Sequence, residues 1–232
     1  MGKPDIIYED NDIIVCYKPA GIATQTRRIG QQDMESFIRN YRAAKNEPPY
    51  VGIVHRLDQP VEGVMVFAKN QKAAASLSRQ IKEHTTEKYY HAASRGHGVS
   101  GADNKEDNHD PAWHTLTDYI SFDKRTNTSK ITSEKDRQAK KAVLQYRILS
   151  NECNKTEFDI KLLTGRHHQI RLQLANIGYP LIGDTKYGKP ASNNSGTGNV
   201  AGRTGSCVRE QLALCSYKLV FDHPATGERM TF

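Results

Sequence analysis

Two apolar, β-branched runs, Val51 to Val54 and Val64 to Phe67, flank a short polar segment holding Pro60 and Gly63. That pattern predicts strand, turn, strand. At its centre stands His55-Arg56-Leu57-Asp58. In extended backbone, residues at i and i+2 share a face, so Arg56 and Asp58 project together while His55 and Leu57 project the other way. The turn carries a guanidinium beside a carboxylate, and such a carboxylate stays ionised. Taken alone, the tetrapeptide reads as a structural turn closed by a local Arg56–Asp58 ion pair.

The remaining patterns place this turn among strands with a few helices. Ile6 to Tyr8 and Asp12 to Lys18 read as short strands, with Lys18-Pro19-Ala20-Gly21 ending the pair and Lys18 exposed or within reach of a phosphate. In residues 32–44, Met34, Phe37, Ile38 and Tyr41 fall at helical spacing, and Pro48-Pro49 stops the helix. Ala74, Leu77 and Ile81 mark one face of a second helix over 71–84. Strands are expected at 87–94, 113–122 and 142–149, and through Phe158, Ile160 and Leu162. A short helix over 167–176 ends at Gly178 and Pro180, with Arg166, His167 and His168 at its start and Arg171 within it. The last strand spans 211–221, and loops are expected near 96–111 and 183–206. Neighbouring antiparallel strands with a few helices make an α+β fold, read here as one domain over residues 1–232.

Composition narrows the function classes. Over 232 residues, 37% hydrophobic and 25% charged is globular usage, and a chain this long buries roughly 70% of its unfolded surface without disulfides or a structural metal. Cys16, Cys153, Cys207 and Cys215 form no C-x-x-C pair, so no zinc site is expected. No secretory leader or membrane-length apolar run occurs, which points to the cytoplasm and away from membranes. Gly196-Thr197-Gly198 with Gly202 imitates a dinucleotide fingerprint, but no strand leads into it and no helix leaves it. With no Walker A pattern either, no cofactor is expected. A net charge of +7 favours a polyanionic partner. Residues 123–141 hold seven Lys or Arg against three acids, which is either a solvated hairpin or a phosphate-binding surface.

Five motifs in order carry a resemblance over nearly the whole chain. They are Glu9 to Gly21 (EDNDIIVCYKPAG), His55 to Gly63 (HRLDQPVEG) running into Phe67-Ala68-Lys69, Lys88-Tyr89-Tyr90 (K-x-Y), Thr164 to Arg171 (TGRHHQIR), and Gly178 to Asp184 followed by Tyr187-Gly188. In these the chain resembles the RluA family of pseudouridine synthases. The resemblance implies a largely antiparallel central sheet with flanking helices and an RNA-binding cleft. It also implies isomerisation of uridine within ribosomal or transfer RNA, without cofactor or obligatory protein partner, by a monomer. Residue by residue, it makes Asp58 the nucleophile, Tyr90 the aromatic residue under the uracil, and Arg171 the cation paired with the aspartate. Arg56 fills the space left by the extruded nucleotide, and Leu214 lines the pocket. Arg166 and His168 belong to the same basic cluster and are expected to contact RNA. The match begins almost at Ile6, so the S4-type RNA-binding domain of some members is not expected.

Elementary chemistry agrees. A stacked uridine hides its glycosidic carbon, so the base must flip, and a planar, always charged Arg56 can stack in the gap. Asp58 is ionised near neutral pH, and Arg171 beside it is expected to lower its pKa further. It can attack the ribose or abstract a proton there. Two other readings remain: a catalytically idle RNA-binding or RNA-folding protein of the same fold, and glycoside hydrolysis, for which Glu62 is the nearest second carboxylate. Three positions depart from the family pattern, Val61-Glu62 before Gly63, Gln173, and Leu214-Cys215-Ser216, and they bear on substrate choice.

Overall fold

Strand β2 (Ile13–Lys18) reads as a continuous apolar run because both of its faces are covered, and so does β4 (Glu62–Ala68). They pair antiparallel, Ile13 opposite Ala68 through Lys18 opposite Gly63. One face sends Ile14, Cys16, Met65 and Phe67 into a cluster with Met34 and Ile38 of helix α1 (Met34–Ala44). The other sends Ile13, Val15, Val64 and Val66 against Ala73 and Leu77 of α2 (Gln71–Lys82). Asp33 and Ser36 start α1 with a reciprocal capping box, and Asn70 caps α2 by accepting the Ala73 N–H at 2.8 Å. The covered face of α2 is Ala73, Leu77 and Gln80, one position back from the expected stripe. Ile81 turns instead toward the cavity described below.

This computed structural model describes residues 4–26, 28, 30–95, 112–152, 154–188 and 210–232. Around the β2–β4 pair the chain adds β1 (Asp5–Glu9), β3 (Gly52–Ile53), β5 (Glu87–Ser94), β6 (His114–Asp123), β7 (Thr128–Thr132), β8 (Lys140–Glu152), β9 (Lys155–Leu162), α3 (Gln169–Asn176), β10 (Leu214–Asp222) and β11 (Arg229–Thr231). Eleven strands form one sheet in the order β1-β2-β4-β10-β5-β9-β8-β6-β7, with β11 beside β10 and β3 beside β4. The pairs are antiparallel except β10 with β4, which run parallel where Cys215 and Ser216 meet Glu62 and Gly63. The α+β expectation holds.

Two details differ from the sequence reading. The first strand of the opening pair is only Gly52–Ile53, so residues 54–61 form a loop longer than a tight turn. The expected basic hairpin contains a true edge strand, β7, paired to β6 from Tyr119–Thr132 to Asp123–Thr128. Loop 96–111, and 183–206 beyond Gly188, lie outside the described residues.

Gly63 shows why the fold demands a glycine at the end of the HRLD segment. Its φ is +132°, and a Cβ there would lie 2.2 Å from the Ser216 carbonyl oxygen. Backbone meets backbone at the β4–β10 junction, and only glycine permits it.

Candidate active site

A cavity of about 680 Å³ opens where the 54–61 loop, β5, the start of α3 and β10 converge. All seven residues singled out from sequence line it: Asp58, Tyr90, Arg171, Arg56, Arg166, His168 and Leu214. They come from four segments spread over more than 150 residues, so the fold alone brings them together.

The Asp58 loop is held from beneath by the 18–24 segment. Lys18 is fully buried, and its Nζ donates to the carbonyls of Pro19 (3.1 Å), Ile22 (2.6 Å) and Gln59 (3.1 Å). This corrects the expectation of an exposed or phosphate-reaching lysine. Burial draws its pKa down to about 8, with Asp58 and Glu62 pulling the other way. Thr24 Oγ1 both donates to the Leu57 carbonyl (2.9 Å) and accepts the Leu57 N–H (3.1 Å). Gly21 N–H donates to the Gln59 carbonyl at 2.8 Å, and Val61 N–H to the Asp58 carbonyl at 3.0 Å. His55 closes the far side, its Nε2 accepting the Val66 N–H at 3.0 Å. Burial, with Lys88 nearby, lowers His55 to about 3, so it serves as a neutral acceptor whose proton sits on Nδ1.

Asp58 faces Arg171 Nη1 at 3.7 Å and His168 Nε2 at 3.6 Å, both longer than a hydrogen bond. Arg171 is itself fixed by a bidentate pair to buried Asp184, Nε to Oδ2 and Nη2 to Oδ1 at 2.7 Å each. Asp184 also accepts the backbone N–H groups of Lys186 and Tyr187. The cation is therefore neutralised from behind and presents only part of its charge to Asp58. Burial raises the Asp58 pKa above the ordinary aspartate value, outweighing Arg171, Lys18 and Lys186, which pull it down. The expected lowering is corrected in its net sign, though Arg171 acts in the expected direction. Arg56 does not pair with Asp58; its Nη2 donates to Gln25 Oε1 at 2.9 Å in an exposed contact.

A second chain of contacts reaches Asp58 from the basic arm. Ser129 N–H, on β7, donates to Tyr187 Oη at 2.8 Å, and Tyr187 Oη meets His168 Nδ1 at 3.0 Å. Burial beside Arg171 lowers His168 to about 3, so the ring is neutral. The Asp58 carboxylate opposite Nε2 favours the tautomer with its proton there, in which Nδ1 accepts the Tyr187 O–H. His168 holds this place in the left-handed region, φ 53°, at the start of α3. Tyr90 is buried, and desolvation pushes its phenol well above the ordinary value. It offers an aromatic face and stays protonated, not a base. Leu214 packs beside it, buried at the start of β10.

The RNA pseudouridylate synthase profile matches residues 12–176, most of the chain and all of the Asp58 loop. The chain belongs to that family. Among proteins to which it is similar is ribosomal large subunit pseudouridine synthase D of Vibrio cholerae, 32% identical over 98% of this chain and 66% of the relative. The Borreliella burgdorferi protein of the same name is 32% identical over 94% of this chain and 60% of its own length. An uncharacterized RNA pseudouridine synthase of Bacillus subtilis is 31% identical over 98% and 67%. The chain thus spans about two thirds or less of these relatives. Among solved structures, human RNA pseudouridylate synthase domain containing 4 has the same fold, with a TM-score of 0.71 at 20% identity over 98% of this chain and 86% of that one.

Family membership makes the supporting residues worth naming, because sequence reasoning passed over them. Asp184, at the end of the Gly178 to Asp184 motif, fixes Arg171, and Lys18 braces the Asp58 loop from beneath. Glu62 lines a different groove, with His91 and Cys215, and accepts from Gln211 Nε2 at 3.1 Å. It is not a second carboxylate of the Asp58 cavity. Among the described residues, one group has metal-ligand types close together, Asp10, Asp12 and His223. Its atoms are engaged within the protein: Asp10 accepts from Tyr8, Asp12 N–H, Ile13 N–H and His223, and Asp12 accepts from Asn70.

Proposed function

We propose that this chain converts uridine within RNA to pseudouridine in the Asp58 cavity. The observation that carries the reading is the convergence of Asp58, Tyr90 and Arg171 on one cavity, with the Asp58 loop anchored from three sides. The uridine flips from its stack, a step that costs a few kcal/mol, and Arg56 occupies the gap. The uracil lies on Tyr90 beside Leu214. Asp58, in its ionised form, attacks the ribose at C1′ or removes a proton from the ribose. The N1–C1′ bond breaks, the base turns and C5–C1′ forms, which displaces the Asp58 carboxylate from C1′ or goes with return of the ribose proton, and the proton lost from C5 is balanced by one gained at N1. The sum is an isomerisation, so it balances without a cofactor. The buried phenol of Tyr90 is too weak a base for the C5 proton, which leaves Asp58 or water.

The basic arm β6–β7–β8 beside α3 supports RNA as the partner, and the relatives' names favour ribosomal over transfer RNA. We place the chain in the cytoplasm as a monomer; among the described residues no helix is long and apolar enough to cross a membrane. Release of tritium from RNA carrying C5-labelled uridine tests the reading. The unaltered chain releases it, Asp58→Ala loses about 10⁴-fold or more in rate, and Glu62→Gln stays within about twofold. RNA binding without tritium release would instead establish the catalytically idle RNA-folding protein. Loss of turnover in Glu62→Gln would restore the two-carboxylate hydrolase.

A further inference from the structure

Several cations line the cavity, and Lys88 is a half-buried one that the reaction described above does not use. Lys88 lies on β5 two residues before Tyr90, so both side chains leave the same face of the strand roughly 7 Å apart. Lys82, at the end of α2, is exposed to solvent, whereas Arg171 holds Asp184, Arg56 holds Gln25, Lys18 holds three carbonyls, and Arg166 Nε donates to the Lys141 carbonyl at 2.8 Å. Among the described residues Lys88 has neither a hydrogen bond nor an ion pair. Burial lowers its pKa, and no carboxylate is near enough to oppose that effect. Half-buried and without a counter-charge, the ammonium loses part of its hydration with nothing in the free protein to offset it.

Gly165 lies against it. A Cβ there would stand 3.6 Å from Lys88 Nζ, and the Gly165 backbone is not in the left-handed region that would itself require glycine. The missing side chain keeps open space beside the ammonium. On the arrangement read above, a flipped nucleotide with its base on Tyr90 brings its phosphate about one nucleotide length from the ring, which is the reach of Lys88.

We infer that Lys88 is an RNA-binding residue that takes a backbone phosphate oxygen of the flipped uridine or its immediate neighbour, completing an ion pair the free protein leaves open. The inference rests on the function proposed above, but its test reads binding and not turnover.

The measurement is the affinity of a fluorescent RNA hairpin with a single loop uridine, titrated between 50 and 200 mM salt. Each phosphate contact contributes about 0.7–0.9 to the slope of log affinity against log salt. Lys88→Met is expected to lower the slope by that amount and to weaken binding about tenfold at the lowest salt, while Lys88→Arg keeps the slope. Lys72→Met, exposed on α2 and outside the cavity, is the control and leaves it unchanged. Thermal stability separates this from a structural role: Lys88→Met keeps or raises the melting temperature, because a desolvated charge is removed. An unchanged slope, or a melting temperature that falls, overturns the assignment while leaving the proposed reaction intact. If the unaltered chain does not bind the hairpin and releases no tritium from any RNA, the proposed function falls with it.

Discussion

The two faces of β5 and its neighbours differ in how their charges are settled. On the face away from the cavity, Tyr217 stacks on His91 with ring centres 3.9 Å apart, and its hydroxyl donates to Asp159 at 2.9 Å. Asp159 also holds Arg147 at 3.0 Å, and Glu87 holds both Lys161 and Arg229 at 2.9 Å. Lys218 sits 4.6 Å above the Tyr89 ring. That face is closed upon itself, with acids and bases matched. One residue along, the cavity face leaves Asp58 just beyond hydrogen-bond reach of its cations and Lys88 with no partner. Alternation along a strand sends one set of side chains to hold the sheet and the next into the cavity, where the proposed function puts the substrate.

The sharpest way to break that comparison is to remove one buried acid from each face. Asp184→Ala leaves the Arg171 guanidinium buried and unpaired, at a cost of about 3–5 kcal/mol. It also releases the orientation of Arg171 toward Asp58. Denaturant unfolding and tritium release should both fall. Asp159→Asn on the other face keeps the acceptor for Tyr217 while discharging the pair with partly exposed Arg147, so it costs less stability and leaves the rate near that of the unaltered chain. Equal loss of rate in the two variants would end the distinction between the faces.

A second test uses pH. His55 has a folded pKa of about 3 against about 6.5 unfolded, so between those values the unfolded chain binds more protons. Stability therefore rises with pH through this window and is lost on acidification, by at most about 1.4 kcal/mol per pH unit for this residue. Protonation also takes away the lone pair that accepts the Val66 N–H. His55→Gln, which can still accept that bond, should flatten the dependence in denaturant titrations between pH 3 and 6.5. On the proposed reaction the rate has its own limit: it needs the ionised Asp58 carboxylate, whose raised pKa moves the acid limb above the ordinary aspartate range. If the slope of stability against pH is unchanged in His55→Gln, the neutral anchor is refuted.

These tests fall on features that were unevenly legible in the sequence. Paired central strands announced themselves through unbroken apolar runs, and half-buried β9 through alternation at Phe158, Ile160 and Leu162. Strands β7 and β11 did not, since an edge strand of polar or few residues has no periodicity to read. The residues that converge on the cavity can be singled out because their motifs stand in order. Their settings cannot: a lysine beside Pro19 does not reveal three carbonyls converging on it, one of them 41 residues away. The net rise of the Asp58 pKa depends on burial, a property of the assembled loop and not of Arg171, the neighbour expected from the resemblance.

The smallest expected effect is the most direct comparison of the two faces. Lys161 on β9 and Lys88 on β5 are both strand lysines and both partly exposed. Lys161 Nζ lies 2.9 Å from Glu87 and 5.3 Å from the Tyr89 ring centre. Its ion pair is partly exposed and already complete without RNA, so Lys161→Met should cost no more than about 1 kcal/mol in unfolding. The salt slope of RNA affinity should not move, because no phosphate contact is lost. Stability that falls slightly with an unchanged slope in Lys161→Met, beside stability that holds with a reduced slope in Lys88→Met, separates a lysine that serves the fold from one that serves the substrate. A reduced slope in both would mean that RNA reaches the far face of the sheet, and the matched charges there would then need a different explanation.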